Sequence, residues 1–373
     1  MGPVGKIVGA ASIATGVIGA AALGGITAQR RAVKRYREAA LHAAAASGND
    51  RYDSLVADRS YSVIAEDGTV LYVEEVGPPD ADLTVVFSHG WMLRSGAWHY
   101  QRLGLAGPGF GDPPGPVARM VFFDQRSHGR STRAAVGHST MVDLASDLAS
   151  VIRTAAPDGP LVVVAHSMGG MALLTLAGRH PEFIAERLAG AALVSTAATQ
   201  IAQPEISRLV SGSTPVLRVL SNLAARYPTM FERGRAGSKD AVWLLTRALG
   251  FARQDVPPAM VDYLDEMISN TPVEVIAEFT PALLYFDETH ALPALAGIPV
   301  LVLCGSADKV TPVVRSRMIA DSLPDSQFVV VPDAGHMAMM EDPVVVNEAL
   351  RGLLRAAAER AGITAAGGRA KRA

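Results

Sequence analysis

The feature that most constrains this chain is an apolar run that ends at a serine. Residues 161–170 read LVVVAHSMGG, with Ser167 set between small residues. Four large apolar residues in succession, three of them β-branched, predict a strand buried on both faces of a parallel sheet. The small residues Ala165, Gly169 and Gly170 would let the backbone turn sharply from this strand into a helix. Alternatively, Ser167 only caps that helix, a role for which serine is favoured.

Composition narrows the possible classes of protein. The chain has 373 residues, of which 49% are hydrophobic, so it can bury a large core and is long enough for about two domain-sized units. Its formal charge of −2 gives no electrostatic case for binding nucleic acid. The single cysteine, Cys304, lies in an apolar run and is interpreted as a buried strand residue. An intrachain disulfide and a multi-cysteine metal site are therefore excluded.

Strand and helix patterns alternate along most of the chain. A hairpin is predicted about Asp67 and Gly68, with helical periodicity at 140–152 and 344–357. Apolar strands are predicted at 83–88, 118–123, 161–164, 191–195, 300–304 and 328–331. This alternation predicts an α/β fold with a mainly parallel, doubly wound sheet, whose ligands bind at the carboxyl ends of the strands.

The predicted order of elements divides the chain into five parts. Residues 200–292 carry seven prolines among short helical patterns and separate two sheet strands, which predicts an inserted helical lid over the strand ends. The two parts of the core are then 51–199 and 293–358. Residues 1–50 form an apolar segment followed by a basic linker helix, and residues 359–373 form a flexible tail.

The N-terminal apolar segment predicts an association with a membrane. Residues 7–28 contain no charge and would cover about 30 Å as a helix, which is enough to span a bilayer core. Lys6 precedes the segment and five cations follow it by Arg37, so the positive-inside rule predicts a cytoplasmic catalytic domain. The alternatives are a cleaved signal peptide on an exported protein and an apolar helix packed on a soluble cytoplasmic protein.

Three chemically capable residues follow three different predicted strands. Ser167 follows the strand at 161–164, Asp308 the strand at 300–304 and His336 the strand at 328–331. The chain order Ser, Asp, His at strand ends is typical of one class of hydrolytic site. Asp333 is a rival carboxylate near His336, and we rank it below Asp308.

Several motifs together point to a known family. They are His89-Gly90-Trp91, Asp124-x-Arg126-x-x-Gly129-x-Ser131, the turn at Ser167, Gly305-x-x-Asp308-x-x-Thr311-Pro312, and Gly335-His336 followed by Glu341 and Pro343. With these motifs the chain resembles the α/β-hydrolase fold superfamily, in particular its lidded serine esterases and lipases. The resemblance covers about residues 61–357, and in that family the turn at the serine is the nucleophile elbow, with Ala165 here in place of the first glycine of G-x-S-x-G.

The resemblance implies a role for each residue of the site. Ser167 would be the nucleophile, His336 the general base, and Asp308 the group that orients the imidazole. The backbone amides of Trp91 and Met168 would form the oxyanion hole. This chemistry needs no metal and no organic cofactor.

Three further residues are expected to bind substrate, namely Trp98, His166 and Met337, although tryptophan and methionine at such positions are more often plain core. The predicted reaction is hydrolysis of small-molecule or lipid carboxylic esters with apolar acyl groups, through an acyl-enzyme. Serine at the nucleophile position argues against haloalkane dehalogenase and epoxide hydrolase chemistry. The alternatives are a cofactor-free perhydrolase of the haloperoxidase type, a carbon–carbon bond hydrolase, and a non-catalytic membrane scaffold.

Overall fold

The computed structural model describes residues 54–105, 116–199 and 239–363, together with isolated positions at 31, 33–36, 52, 226, 229 and 232. These residues form the predicted α/β fold, so the fold class is confirmed. The predicted lid is described from residue 239 onward, apart from the isolated positions above. The N-terminal segment 7–28 and the tail from 364 lie outside the described residues.

The centre of the molecule is an eight-stranded sheet with strand order β1-β2-β4-β3-β5-β6-β7-β8. β1 pairs antiparallel with β2, and β2 antiparallel with β4, whereas every other neighbouring pair is parallel. The strands are β1 (Arg59–Ile64), β2 (Val70–Val76), β3 (Leu83–Ser88), β4 (Ala118–Phe123), β5 (Leu161–His166), β6 (Leu188–Val194), β7 (Val300–Gly305) and β8 (Gln327–Val331).

Helices cover both faces of this sheet. In chain order the described helices are α1 (His99–Leu105), α2 (Met141–Ala155), α3 (Met168–Arg179), α4 (Pro181–Arg187), α5 (Lys239–Gly250), α6 (Pro258–Asn270), α7 (Val273–Leu284), α8 (Val313–Ser322), α9 (Ala338–Glu341) and α10 (Pro343–Arg360). Short 3₁₀ helices lie at Ser95–Trp98 and Thr289–Leu295.

The central strand β5 shows why the sheet is buried on both faces. All six of its residues are buried. Leu161 and Val163 belong to an apolar cluster with α2 and α3, whereas Val162 and Val164 belong to a second cluster with α1 and α10. Since successive side chains of a strand point to opposite faces, an uninterrupted apolar run is what a strand between two helical layers needs.

Helices α5, α6 and α7, here called the cap helices, occupy the interval between β6 and β7. They make up the described part of the segment predicted as a lid. The end of that segment behaves differently, because Ala291 and Leu292 are buried in the same apolar cluster as the elbow helix α3. Ala291 and Leu292 therefore pack with the core, and the cap helices themselves end at Leu284.

The predicted membrane-associated localisation, with the catalytic domain on the cytoplasmic side, is wrong. In the ranges that the structure describes, no helix combines the length and the hydropathy that crossing a bilayer requires. The segment 7–28, on which the prediction depended, lies outside those ranges. That prediction relied on the length of the segment, its absence of charge and the cations that follow it. Against it, the segment is rich in glycine and alanine, which bury little apolar area and so gain little free energy of transfer.

Candidate active site

Ser167 sits on a strained turn between β5 and α3. Its φ of 51° and ψ of −117° lie in a region that residues other than glycine rarely adopt. Hydrogen bonds hold this conformation: the Ser167 amide donates to the Val194 carbonyl at 3.0 Å, and the Thr196 hydroxyl donates to the Ser167 carbonyl at 2.7 Å. The neighbouring strand β6 and the residues after it therefore fix the serine.

The small residues around Ser167 are required by close packing. A Cβ added to Gly169 would lie 2.5 Å from the Ser88 carbonyl oxygen, and one added to Gly170 would lie 2.6 Å from the Thr196 hydroxyl. Both separations are shorter than a non-bonded contact allows. Ala165, in contrast, lies fully buried within the apolar cluster of its face, so a methyl group fits where the family pattern has glycine.

The structure brings Ser167, His336 and Asp308 together. His336 Nε2 lies 3.1 Å from Ser167 Oγ, and His336 Nδ1 lies 2.9 Å from Asp308 Oδ2. Ser167 is 8% exposed and His336 is 9% exposed, and both line the same cavity. The hydroxyl, imidazole and carboxylate therefore form one hydrogen-bonded line that opens to that cavity.

Asp308 is held as an acceptor on both of its oxygens. Oδ1 accepts from the amides of Val310 at 2.8 Å and Thr311 at 2.9 Å. The Thr311 hydroxyl lies 2.9 Å from Asp308 Oδ2 and also 2.9 Å from the Ser195 carbonyl. Asp333, the rival carboxylate, instead follows β8 in an exposed turn, where its amide donates to Ser306 Oγ at 2.9 Å.

The two residues predicted to supply the oxyanion donors come from different segments of the chain. Met168 is the first residue of α3, where an amide has no partner inside the helix. Trp91 follows β3 and lines the cavity beside Ser167. In the described part of the chain, neither amide donates to a backbone carbonyl, so both remain able to bind an oxyanion.

A cavity of about 130 Å³ lies over Ser167 and is almost entirely apolar. His166 and Met337, two of the three residues expected to bind substrate, line it. The cap helices supply much of the opposite wall through Leu245, Leu249, Leu264, Ile268, Leu283 and Leu284. Among the described residues that line the cavity there is no Asp, Glu, Lys or Arg, so the cavity suits an uncharged apolar group.

Trp98, the third residue expected to bind substrate, does not line the cavity. Its side chain is fully buried, with its ring 5.3 Å from that of Phe87 and 6.2 Å from that of His166. The orientation of Trp98 was not predicted from the sequence. The 3₁₀ helix at Ser95–Trp98 directs the indole into the apolar cluster against the sheet. Trp98 therefore packs against the His166 ring and is not part of the cavity wall.

Three buried histidines surround the strand ends. Burial lowers the pKa of His89 to about 4 and that of His128 to about 3, and it lowers the pKa of His166 well below its ordinary value. His89 Nε2 accepts from the Gln125 amide at 2.9 Å, so its Nδ1 carries the proton and donates to the Gly90 carbonyl at 2.7 Å. These histidines are therefore neutral structural groups near pH 7.

A polar brace lies beneath the loop after β4. Asp124 accepts from the amides of Ser95 at 2.7 Å and Arg130 at 2.8 Å, and Arg126 binds Asp147 through two hydrogen bonds of 2.6 and 2.7 Å. This matches the part of the sequence motif that runs from Asp124 to Ser131. The brace orients the loop and does not reach the cavity.

Asp67, His138 and Asp143 lie close enough together to offer a metal three ligands. However, the guanidinium of Arg126 is 2.8 Å from Asp67 Oδ2 and 3.6 Å from Asp143 Oδ1. A cation from the chain therefore already pairs with both carboxylates of this cluster.

Glu341 is a buried residue of the site region for which no role was predicted from the sequence. Its carboxylate accepts from the amides of Ala252 at 2.7 Å and Arg253 at 2.9 Å and also from the Gly335 amide. Burial raises its pKa, and these three donors act in the opposite direction. The motif around His336 contained Glu341, but the partners that give it a function come from a segment more than 80 residues away.

Comparisons with known proteins agree with this fold. Residues 84–343 match a family described as alpha/beta hydrolase fold. The chain is 26% identical over 304 residues to a bifunctional esterase/perhydrolase of Acinetobacter calcoaceticus, covering 79% of this chain and 99% of that protein. It is 28% identical over 277 residues to a monoacylglycerol lipase of Mycolicibacterium smegmatis, covering 70% and 84%. A thermophilic esterase from Thermogutta terrifontis has a similar structure, with a TM-score of 0.63 and 27% identity over 80% of this chain and 99% of that one.

Proposed function

The chain belongs to the α/β hydrolase fold family and is an α/β-hydrolase enzyme, and on that premise we propose that it is a serine hydrolase of carboxylic esters. Ser167 is the nucleophile, His336 the general base, and Asp308 the carboxylate that orients the imidazole. The observation that carries the proposal is the hydrogen-bonded line of these three side chains at the base of an apolar cavity.

The two halves of the reaction follow from this geometry. Ser167 Oγ attacks the ester carbonyl carbon while His336 Nε2 takes the hydroxyl proton and then passes it to the departing alkoxide, which leaves an acyl-enzyme and an alcohol. Water then attacks the acyl-enzyme with His336 again as base, which releases the acid and restores Ser167. The amides of Trp91 and Met168 stabilise the oxyanion that forms in each half.

The cavity supports an apolar acyl group as the substrate's recognition element. Valine, leucine and isoleucine side chains line it on the side of the cap helices, and the described lining offers no charged partner to an ionic substrate. Burying an apolar chain there gains about 25 cal/mol per Å² of area removed from water. The preferred substrates are therefore neutral esters with aliphatic or aryl acyl groups.

Perhydrolysis is a second candidate activity. The relative from Acinetobacter calcoaceticus is named for both esterase and perhydrolase activity and matches 79% of this chain. The same acyl-enzyme serves both reactions, because hydrogen peroxide can replace water as the second nucleophile and give a peracid. Measuring peracid formation against acid formation on one ester separates the two activities.

The test is the hydrolysis of p-nitrophenyl esters of increasing acyl length by the wild-type chain and by Ser167→Ala. The substitution removes the nucleophile and little packing volume, so kcat should fall by about 10⁴- to 10⁶-fold. A fluorophosphonate probe should label the wild-type protein and fail to label the variant.

Ser146→Ala is the matched control, because Ser146 is half-buried on α2, donates to Glu66 at 2.9 Å and does not line the cavity. It should keep full activity and labelling. A well-folded Ser167→Ala variant that retains more than about a tenth of the wild-type rate would exclude the proposed nucleophile, given losses of the size above.

A further inference from the structure

We propose that Glu341 is a positioning residue that fixes the backbone on either side of His336 and joins it to the segment after cap helix α5. This inference rests on the proposed function, in which His336 is the general base. Glu341 does not touch the reacting atoms. It acts through the peptide groups that carry the histidine.

The Glu341 carboxylate bridges two segments that are distant in the chain. One oxygen accepts from the Ala252 and Arg253 amides at 2.7 and 2.9 Å, and the other accepts from the Gly335 amide. Glu341 is 8% exposed, so water cannot readily replace these partners. Each bond is charge-assisted, and such bonds are stronger than those between neutral groups.

The other peptide groups next to His336 are bonded as well. The Met337 amide donates to the Gly250 carbonyl at 2.9 Å, and His166 Nε2 donates to the His336 carbonyl at 3.1 Å. Hydrogen bonds from three different elements therefore hold the backbone from Gly335 to Met337. Asp308 orients the imidazole of His336. Glu341, together with Gly250 and His166, fixes the position of the backbone that carries it.

Close packing shows how tightly the two segments meet. A Cβ added to Gly335 would lie 2.9 Å from the Ala252 amide nitrogen and 3.0 Å from the Gly250 carbonyl oxygen. Gly250 is the last residue of α5, whose Leu245 and Leu249 line the cavity. The bridge thus sets the distance between the histidine and the helix that contacts the acyl group.

A carboxylate suits this position better than an amide does. Three backbone donors point at the two oxygens, and a carboxylate accepts on both. A glutamine would turn an NH₂ group toward at least one backbone N–H, which leaves a buried donor unsatisfied. The glutamine variant therefore disturbs the bridge without changing the volume of the side chain.

The experiment compares Glu341→Gln with wild type on p-nitrophenyl acetate and p-nitrophenyl butyrate. We expect kcat to fall roughly 10- to 100-fold on both esters, because displacing a catalytic group by about 1 Å costs a factor of that order. KM should change little, since the cavity wall is intact. The rate of labelling by a fluorophosphonate should fall in parallel, because that reaction also needs the base.

The matched control is Glu348→Gln, which alters an exposed carboxylate on α10 that pairs with Arg351 and Arg355. It should leave kcat unchanged. A folded Glu341→Gln protein with wild-type kcat, or one in which only KM or thermal stability changes, overturns the inference. If Ser167→Ala also retains activity, the proposed function has failed instead, so the two failures are distinguishable.

A measurement on the wild-type protein decides the case if Glu341→Gln does not fold. The amides of Gly335, Ala252 and Arg253 are all bonded to Glu341, so they should exchange with deuterium much more slowly than unbonded loop amides do. Exchange of all three at the rate of free loop amides would overturn the inference.

Discussion

The ends of the sheet strands and the cap helices face each other across the cavity, yet they are built in opposite ways. At the strand ends, Ser167 adopts a strained conformation and glycines permit contacts that no side chain would allow. The buried carboxylates of Asp124, Asp308 and Glu341 each have specific hydrogen-bond partners there. Across the cavity, leucines and an isoleucine on α5, α6 and α7 offer apolar surface without polar contacts to the reacting groups.

This difference reflects what each region has to do. Proton transfer from Ser167 to His336 depends on separations that must hold to a fraction of an ångström. Burial of an acyl group depends mainly on the apolar area covered, which is not directional. Substitutions at the strand ends should therefore act on rate and stability, and substitutions in the cap helices should act on selectivity.

The largest effect on this comparison is expected for Asp308→Asn. The amide disfavours the tautomer of His336 that accepts the serine proton, so kcat should fall by about 10⁴-fold near neutral pH. Asp333→Asn is the control, because that carboxylate lies in the exposed turn after β8 and contacts neither Ser167 nor His336. Steady-state kinetics on a short ester measure both. Equal losses in the two variants would mean that Asp308 has no special relation to the base.

An effect of intermediate size is expected when the pH is lowered. Acid should destabilise the fold at the strand ends, through His128. The folded-state pKa of His128 is about 3, below the ordinary value near 6.5, so the unfolded chain binds the proton first as pH falls. Above about pH 6.5 the neutral histidine makes its full contribution to the free energy of unfolding. Below that pH the contribution decreases by up to about 1.4 kcal/mol per pH unit.

Between pH 7 and pH 5, the free energy of unfolding of His128→Asn should therefore fall by about 2 kcal/mol less than that of the wild type, as measured by denaturant titration. Comparing the two proteins cancels every other titrating group. His180→Asn, which removes an exposed histidine at the end of α3, should match the wild-type dependence. Parallel curves for wild type and His128→Asn would show that His128 is not held neutral in the fold. The described cap helices contain no histidine, so protonation of a buried histidine cannot destabilise them.

The smallest effect is expected in the cap helices. Leu249→Ala removes apolar surface from the cavity wall, so the ratio of kcat/KM for an octanoate ester to that for an acetate ester should change by about 3- to 10-fold, or roughly 1 kcal/mol. Leu244→Ala, on the same helix but outside the cavity lining, should keep the wild-type ratio. An unchanged ratio in Leu249→Ala would mean that the acyl group does not contact α5.

Much of the fold could be read from local pattern. The apolar runs at β3, β4, β5, β6 and β7 lie where they were predicted, because a strand buried on both faces is apolar at most positions. The short helices α1, α4 and α8 were not predicted. The membrane prediction was wrong, since no described helix has both the length and the hydropathy to cross a bilayer, and it depended on residues 7–28, which lie outside the described ranges.

The sequence alone determined that Ser167, Asp308 and His336 each follow a different strand. Because the carboxyl ends of parallel strands meet at one edge of a sheet, this order also placed the three residues at the same edge. Tertiary structure decided the rest. Trp98 and Met337 are both apolar residues near the site, but Trp98 is buried behind His166 and Met337 lines the cavity. Glu341 bonds to amides that are distant in sequence. Which face a side chain presents, and which backbone groups reach it, depends on contacts between segments that no local pattern encodes.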